Sequence, residues 1–320
     1  MNKFLVTGAM GFVGSHLVEG LLKRGYIVWG IDIAEPPYMK ELLDHPNFHF
    51  VLDTIVNEER LVTLIDKVDC VCHLAAIANP SIYVENPHKV MAITLQMGLR
   101  LAELSELKGK LFFYTSTSEV YGRNPNVPFA EDDDRILGST SVNRWCYSTS
   151  KAAVEHYIMA SHQRGYLDYV IVRLFNIYGP RLRERVVYKF VDQALRGEKL
   201  TIHGDGLQTR CFTYVDDAID AFISLIETKS THNRVYNVGD DRELTVRDLA
   251  EVVQSISEED IGIEYIGYEK SYGESYEDIP RRVPEVTRIK DAIKWQASTT
   301  LEVGIKNMYD YEKKLSLSGE

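Results

Sequence analysis

The chain has 320 residues, 45% hydrophobic and 26% charged; it is long enough to bury a full core, and its composition excludes the disordered, collagen-like and disulfide-scaffold classes. Its 36 basic and 47 acidic residues leave a net charge of −11, which argues against a nucleic-acid partner and obliges any anionic ligand to find a local basic pocket. Cys70, Cys72, Cys146 and Cys211 form no CxxC pair and no metal-ligand spacing, so they read as reduced structural thiols and no metal is expected.

The first element is a short apolar strand, "KFLVT", too brief for a signal peptide or a membrane span, and a cytoplasmic protein is expected. It runs into "TGAMGFVG", where Gly8, Gly11 and Gly14 stand three apart ahead of a helix that opens with Phe12 and Val13. A strand-to-helix turn of this kind needs glycine so that the backbone can approach a pyrophosphate at the helix N-terminus. The next strand, "YIVWGID", ends at Asp32 beside Ile33. A carboxylate there accepts hydrogen bonds from ribose hydroxyls and repels a 2′-phosphate, so the cofactor expected is NAD rather than NADP. Asp53 follows the third strand as a candidate adenine contact, and "CVCHLA" leads to Leu74, Ala75 and Ala76 at the end of the fourth, where small side chains leave room for a cofactor lying across the strand ends.

A long helical pattern runs from Pro87 to about Ser105, followed by the strand "KLFFYT", a helix around Cys146 to Arg164 and the strand "YVIVRLF". Near-continuous apolar strands alternating with helices predict an α/β fold, a Rossmann-type doubly wound parallel sheet covered on both faces. After "NIYGP" the alternation weakens. Residues 1–178 are therefore read as an NAD-binding domain and 179–320 mainly as a smaller C-terminal substrate-binding domain. "YVDDAIDAFISLIE" and "RVYNVG" read as a helix and strand returning to the first domain, near residues 212–240.

Two stretches carry chemistry. "FYTSTSEVYGR" sets a run of hydroxyls and Glu119 where a strand gives way to loop; alone, such a run marks a turn in which Ser and Thr bond their own backbone. In "YSTSK", Tyr147 and Lys151 are four apart and share one face of a helix, where an ammonium favours phenolate and equips a tyrosine to accept a proton. Tyr309 and Lys313 have the same spacing but lie near the C-terminus, in what reads as an ordinary solvated helix. Arg181, Arg183, Arg185, Arg210, Arg281 and Arg282, all in the second half, are candidates for holding a diphosphate or a sugar carboxylate.

The order of these motifs resembles that of extended short-chain dehydrogenases/reductases of the NAD-dependent epimerase/dehydratase type acting on nucleotide sugars. Thr117 stands four residues before Tyr121 of a "VYG" element, Tyr147 and Lys151 follow, and "RLFNIYGPR" is similar to the family's next landmark. The triplet Thr117, Ser118, Glu119, with "SVNRWCYSTSK", "GLQTRCFTYVDD" and "SYGESYEDIPRRVPEV", resembles the UDP-glucuronate decarboxylases in particular. The resemblance implies Tyr147 as base, Lys151 as its partner and a cofactor contact, Thr117 as the group orienting the sugar hydroxyl, and Glu119, Ser118 and Arg282 acting at the sugar C5. It further implies Thr115 lining the cofactor, Asn176, Arg185, Thr201, Arg210 and Tyr276 binding the nucleotide sugar, and a homodimer formed through the two long helices. Oxidative decarboxylation of UDP-glucuronate to UDP-xylose or a UDP-4-keto-pentose is the activity implied first. A UDP-sugar 4-epimerase, a 4,6-dehydratase and a non-catalytic NAD-binding protein on the same fold stay open as alternatives.

Overall fold

The computed structural model describes residues 1–36, 39–267 and 281–318, so Tyr276 lies outside the described residues. Seven parallel strands form the central sheet: β1 (Lys3–Thr7), β2 (Ile27–Asp32), β3 (Phe48–Leu52), β4 (Cys70–His73), β5 (Leu111–Thr117), β6 (Tyr169–Leu174) and the Arg234–Val238 strand. Their order, starting from the Arg234–Val238 edge, is β6, β5, β4, β1, β2, β3. The chain thus leaves β1 for β2 and β3 on one side and returns to β4, β5 and β6 on the other. The ends of β1 and β4 border the crevice where such sheets bind ligands.

Alternation along the strands divides the core. Val6, Cys72, Phe113 and Val172 pack with Leu17, Leu21, Ile219 and Phe222 of helix α1 (Phe12–Lys23) and of the Val215–Glu227 helix. Leu5, Val71, Phe112 and Ile171 face the other way, against Leu61, Leu101, Val154 and Ile158. Both faces are covered, and for that reason the strands read as continuous apolar runs.

The pattern predicted as one helix from Pro87 to Ser105 is divided. Pro87–Met91 is α-helical, Ala92–Gln96 is a π-turn, and the α-helix resumes over Met97–Leu107. The wider turn resets the helical phase. Gly98 then faces the Cys146–Gln163 helix, where an added Cβ would lie 2.8 Å from Val154 Cγ2. Nor is the C-terminal helix simply solvated: Tyr309 is buried in the core, and Lys313 donates to Glu258.

Beyond residue 178 the Arg185–Leu195 and Val246–Ile256 helices pack on each other, on the helix Leu301–Ser318 and on the Leu200–His203 strand, which pairs with Ile263–Ile266. A three-stranded sheet sets Glu243–Thr245, Thr209–Cys211 and Arg281–Arg282 side by side, with Arg282 in register with Arg210.

Candidate active site

The glycine loop is built by backbone. Gly8 takes a φ of +70° and donates to Ile31 O at 3.0 Å, a conformation that suits glycine. A Cβ on Gly14 would lie 1.9 Å from Gly8 O, so the third glycine lets α1 start directly on the loop. The N-cap, Gly11, provides no side-chain cap, the first turn holds no acid, and Phe12 and Val13 are half-buried there. Uncapped N–H groups at a helix start attract an anion. Asp32 leans over this loop, accepting from Met10 N at 2.9 Å and from Ile33 N at 2.7 Å, while Ile33 itself is exposed. Asp53 accepts from Thr54 N, Asn57 Nδ2 and Arg60 Nε; the Thr54 amide is the largest of the influences that hold its carboxyl below the usual range.

Across the crevice, Thr7 Oγ1 accepts from Leu74 N and Ala75 N at 3.2 Å each and lies 2.8 Å from His73 Nδ1. Having two donors already, the hydroxyl gives its proton to Nδ1, which leaves the His73 ring proton on Nε2. Burial, with the nearby Lys151 charge, pushes His73 down to about 3. Leu74, Ala75 and Ala76 are half-buried, and Ala75 touches Gly8 closely enough that a Cβ there would come within 3.0 Å. These groups fit a dinucleotide laid over the ends of β1 and β4.

Tyr147 and Lys151 project from the Cys146–Gln163 helix toward the end of β5. Tyr147 is buried and stacks on Tyr83 at 4.7 Å with an interplanar angle of 9°. Burial raises its phenol well above the ordinary value; Glu119 adds to the rise and Arg185 opposes it. Lys151 Nζ donates to Thr115 O at 2.7 Å, 4.7 Å from the Tyr114 ring centroid and 6.0 Å from that of Tyr147. Burial lowers Lys151 to about 7, with Glu155 acting the other way. The two residues share the helix face that their spacing predicts, and the lysine is anchored to the strand. Thr115 closes this corner by donating to His73 O at 3.1 Å.

Residues 4–239 match the NAD dependent epimerase/dehydratase family. The chain belongs to that family. It is 35% identical over 322 residues to the UDP-N-acetyl-alpha-D-glucosaminuronate decarboxylase of Bacillus cytotoxicus, covering 98% of each chain. It is 34% identical to UDP-glucuronic acid decarboxylase 2 of Arabidopsis thaliana, covering 96% of this chain and 67% of that one. Among solved structures, the UDP-glucuronic acid 4-epimerase of Bacillus cereus, in complex with UDP-glucuronic acid and NAD, superposes with a TM-score of 0.87 at 29% identity, covering 98% of this chain and 99% of that one. Membership makes the chain an NAD-dependent enzyme.

In this family member the remaining candidates are spread over several segments. Thr117 Oγ1 accepts from Glu119 N at 3.2 Å and so caps the short 3₁₀ turn Ser118–Tyr121, within which Ser118 is buried. Glu119 lies between two guanidiniums, 3.3 Å from Arg144 Nη1 and 3.7 Å from Arg282 Nη1, and all three side chains are at most 15% exposed. Asn176, at φ +41°, donates to Cys211 O at 3.0 Å, next to the buried Arg210, which donates to Thr209 O. Arg185 opens its helix at φ +75°, and its charge is felt at Tyr147 and Tyr83. Thr201 lies on the Leu200–His203 strand and accepts from Gln193 Nε2 at 2.9 Å. Arg181, Arg183 and Arg281 are engaged with Glu19, Glu312 and Glu243.

Arg144 and Tyr83 are the neighbours that reading the sequence did not single out. Arg144 stands three residues before Tyr147 in "NRWCY", and its guanidinium lies 4.8 Å from the Trp145 ring centroid. That proximity to Tyr147 in sequence was the one available signal. Tyr83 had none, since aromatic residues at helical spacing usually signify core.

Proposed function

We propose that this enzyme oxidises UDP-glucuronate at C4 and then releases its carboxyl group as CO2, giving UDP-xylose or a UDP-4-keto-pentose. The observation that carries this reading is the clamp on Glu119: a carboxylate 13% exposed, held between two guanidiniums and close enough to act on the Tyr147 phenol, makes a charged wall suited to a uronate C5 substituent. The decarboxylases among the relatives support the same reaction.

The backbone of Gly8, Gly11, Phe12, Val13 and Gly14 would hold the cofactor pyrophosphate, Asp32 the ribose hydroxyls and Asp53 the adenine, with Ile33, Leu74, Ala75, Ala76, Thr115 and Lys151 lining the rest. NAD, when bound, supplies the hydride acceptor for C4 and can return the hydride. Tyr147, as phenolate, takes the proton from O4 while Thr117 orients that hydroxyl; Lys151, when charged, stabilises the phenolate. Once C4 is a ketone, the bond between C5 and the carboxylate breaks, CO2 leaves, and the bonding pair passes into the enolate of the ketone. Arg282 with Ser118 returns a proton to C5, and Glu119, set between Arg144 and Arg282, keeps the guanidinium aimed there. Asn176, Arg185, Thr201 and Arg210, with Tyr276, are assigned to the nucleotide sugar.

The same reading assigns residues 1–178 with 212–240 to cofactor binding and the rest of 179–320 mainly to the sugar nucleotide, in a cytoplasmic homodimer. Ile93, Leu95, Met97, Leu99, Tyr157 and Met159, only partly buried on two adjacent helices, support the dimer. Among the described residues no helix is long and apolar enough to cross a membrane.

The test is incubation of pure protein with UDP-glucuronate, its 2-acetamido analogue, UDP-glucose and GDP-mannose, read by mass spectrometry. Loss of CO2 from a uronate is expected. Retained mass with inverted C4 would establish the 4-epimerase instead, and loss of water the dehydratase. Tyr147→Phe is expected to abolish turnover while NADH binding persists.

A further inference from the structure

We propose that Glu155 and Arg173 are a buried positioning pair that sets the Tyr147–Lys151 helix and the Arg282 strand at a fixed separation behind the Thr117–Glu119 turn. The inference rests on the assignment of Tyr147 and Arg282 as base and proton donor, and it names two residues that touch neither substrate nor cofactor in that assignment.

The pair is joined to both halves of the site by an unbroken run of hydrogen bonds. Lys151 and Glu155 are one turn apart on the same helix and grip consecutive residues of β5: Lys151 Nζ donates to Thr115 O, and Ser116 Oγ donates to Glu155 Oε1. Arg173, on β6, donates through Nε and Nη2 to the two oxygens of Glu155 at 3.1 and 2.7 Å. Its Nη1 donates to Tyr121 OH at 2.9 Å and to Glu131 O at 2.8 Å. Tyr121, two residues past Glu119, donates to Asn237 Oδ1 at 2.7 Å. Asn237 Nδ2 donates to Phe129 O and Glu285 O. Phe129 in turn accepts from Glu285 N and donates to Val283 O, each at 2.8 Å. Val283 follows Arg282, whose guanidinium faces Glu119. The run therefore starts behind the base and ends behind the proton donor.

The Glu155 and Arg173 side chains are only 5% and 7% exposed. A buried ion pair is weak evidence for stability, because well-packed apolar residues of similar volume often serve as well or better. What an apolar pair cannot do is fix direction, and here one guanidinium dictates the placement of a carboxylate, a phenol and a carbonyl on three separate segments. Among the described residues Glu155 is also the one carboxylate felt at Lys151, and His73 from β4, Tyr114 from β5 and Tyr147 from its own helix are the other titratable groups near that lysine.

The deciding variant is the double replacement Glu155→Leu with Arg173→Met, which removes the charges and keeps the volume. A folded protein with unchanged NADH affinity is expected, whose kcat falls about 10- to 100-fold with little change in KM, the size of loss that a misplacement of about 1 Å produces. Should the double variant fail to fold, Tyr121→Phe interrupts the run with one hydroxyl, and a smaller drop of the same kind, several-fold in kcat, is expected. The turnover assay uses whichever nucleotide sugar the unmodified protein converts. A second readout needs no substrate: in protein labelled with 13C at the lysine ε-carbon, the Lys151 titration midpoint should move down by about one pH unit or more when Glu155 is made Gln. Wild-type kcat in the folded double variant, or an unmoved Lys151 midpoint in Glu155→Gln, overturns the proposal. Absence of uronate decarboxylation in the unmodified protein overturns the substrate reading alone.

Discussion

His73 shows what burial does to a single residue at this site. Its ring is neutral down to about pH 3 in the fold but titrates near 6.5 once unfolded. Above pH 6.5 both states are neutral and the group has no effect on stability. Below it the unfolded chain takes up a proton that the fold refuses, so stability falls with falling pH until about pH 3, by about 1.4 kcal/mol per pH unit. His73→Asn keeps an acceptor for Thr7 and removes the titration; in denaturant unfolding between pH 7 and 4 it should lose less stability than the parent. The same burial lowers Lys151 and raises Tyr147. Helix spacing places this pair on one face, but which carbonyl the lysine binds follows from the neighbouring strand.

At the scale of elements, the glycine loop is the clearest case of a backbone requirement. Gly14→Ala puts a methyl 1.9 Å from Gly8 O, and neither the strand end nor the helix start can yield that distance. NADH affinity in a fluorescence titration should fall by more than about tenfold, about 1.4 kcal/mol. Gly267→Ala, where an added Cβ meets nothing within 4 Å, should leave it unchanged. The elements themselves were legible because their signals are short-range: apolar runs, Pro87 at a helix start, and glycines at fixed offsets. The π-turn at Ala92–Gln96 was not: no proline or glycine marks that segment, and the Cys146–Gln163 helix it packs on is remote in sequence. The burial of Tyr309 escaped for the same reason, its surroundings being remote in sequence.

For the whole molecule, the partly buried apolar face shared by the Met97–Leu107 and Cys146–Gln163 helices leads to a prediction about assembly. Leu99→Asp with Met159→Asp should convert a dimer into a monomer in sedimentation velocity, with NADH binding retained; a parent that sediments as a monomer would remove the dimer from the proposed function. What the sequence determined alone is the local chemistry. The alternation of strand and helix, the glycine loop with Asp32, and Tyr147 placed one turn from Lys151 each depend on residues a few positions apart or within one βα unit, where periodicity and spacing suffice. Only the tertiary structure decided that Arg144 joins Arg282 at Glu119. Arg144, Arg282 and Glu119 come from three segments, and Glu155, Arg173 and Asn237 from three more. A guanidinium carries no mark in sequence that separates a surface charge from one that clamps a buried carboxylate. That difference arises when the sheet brings distant segments together and excludes the water that would otherwise screen them.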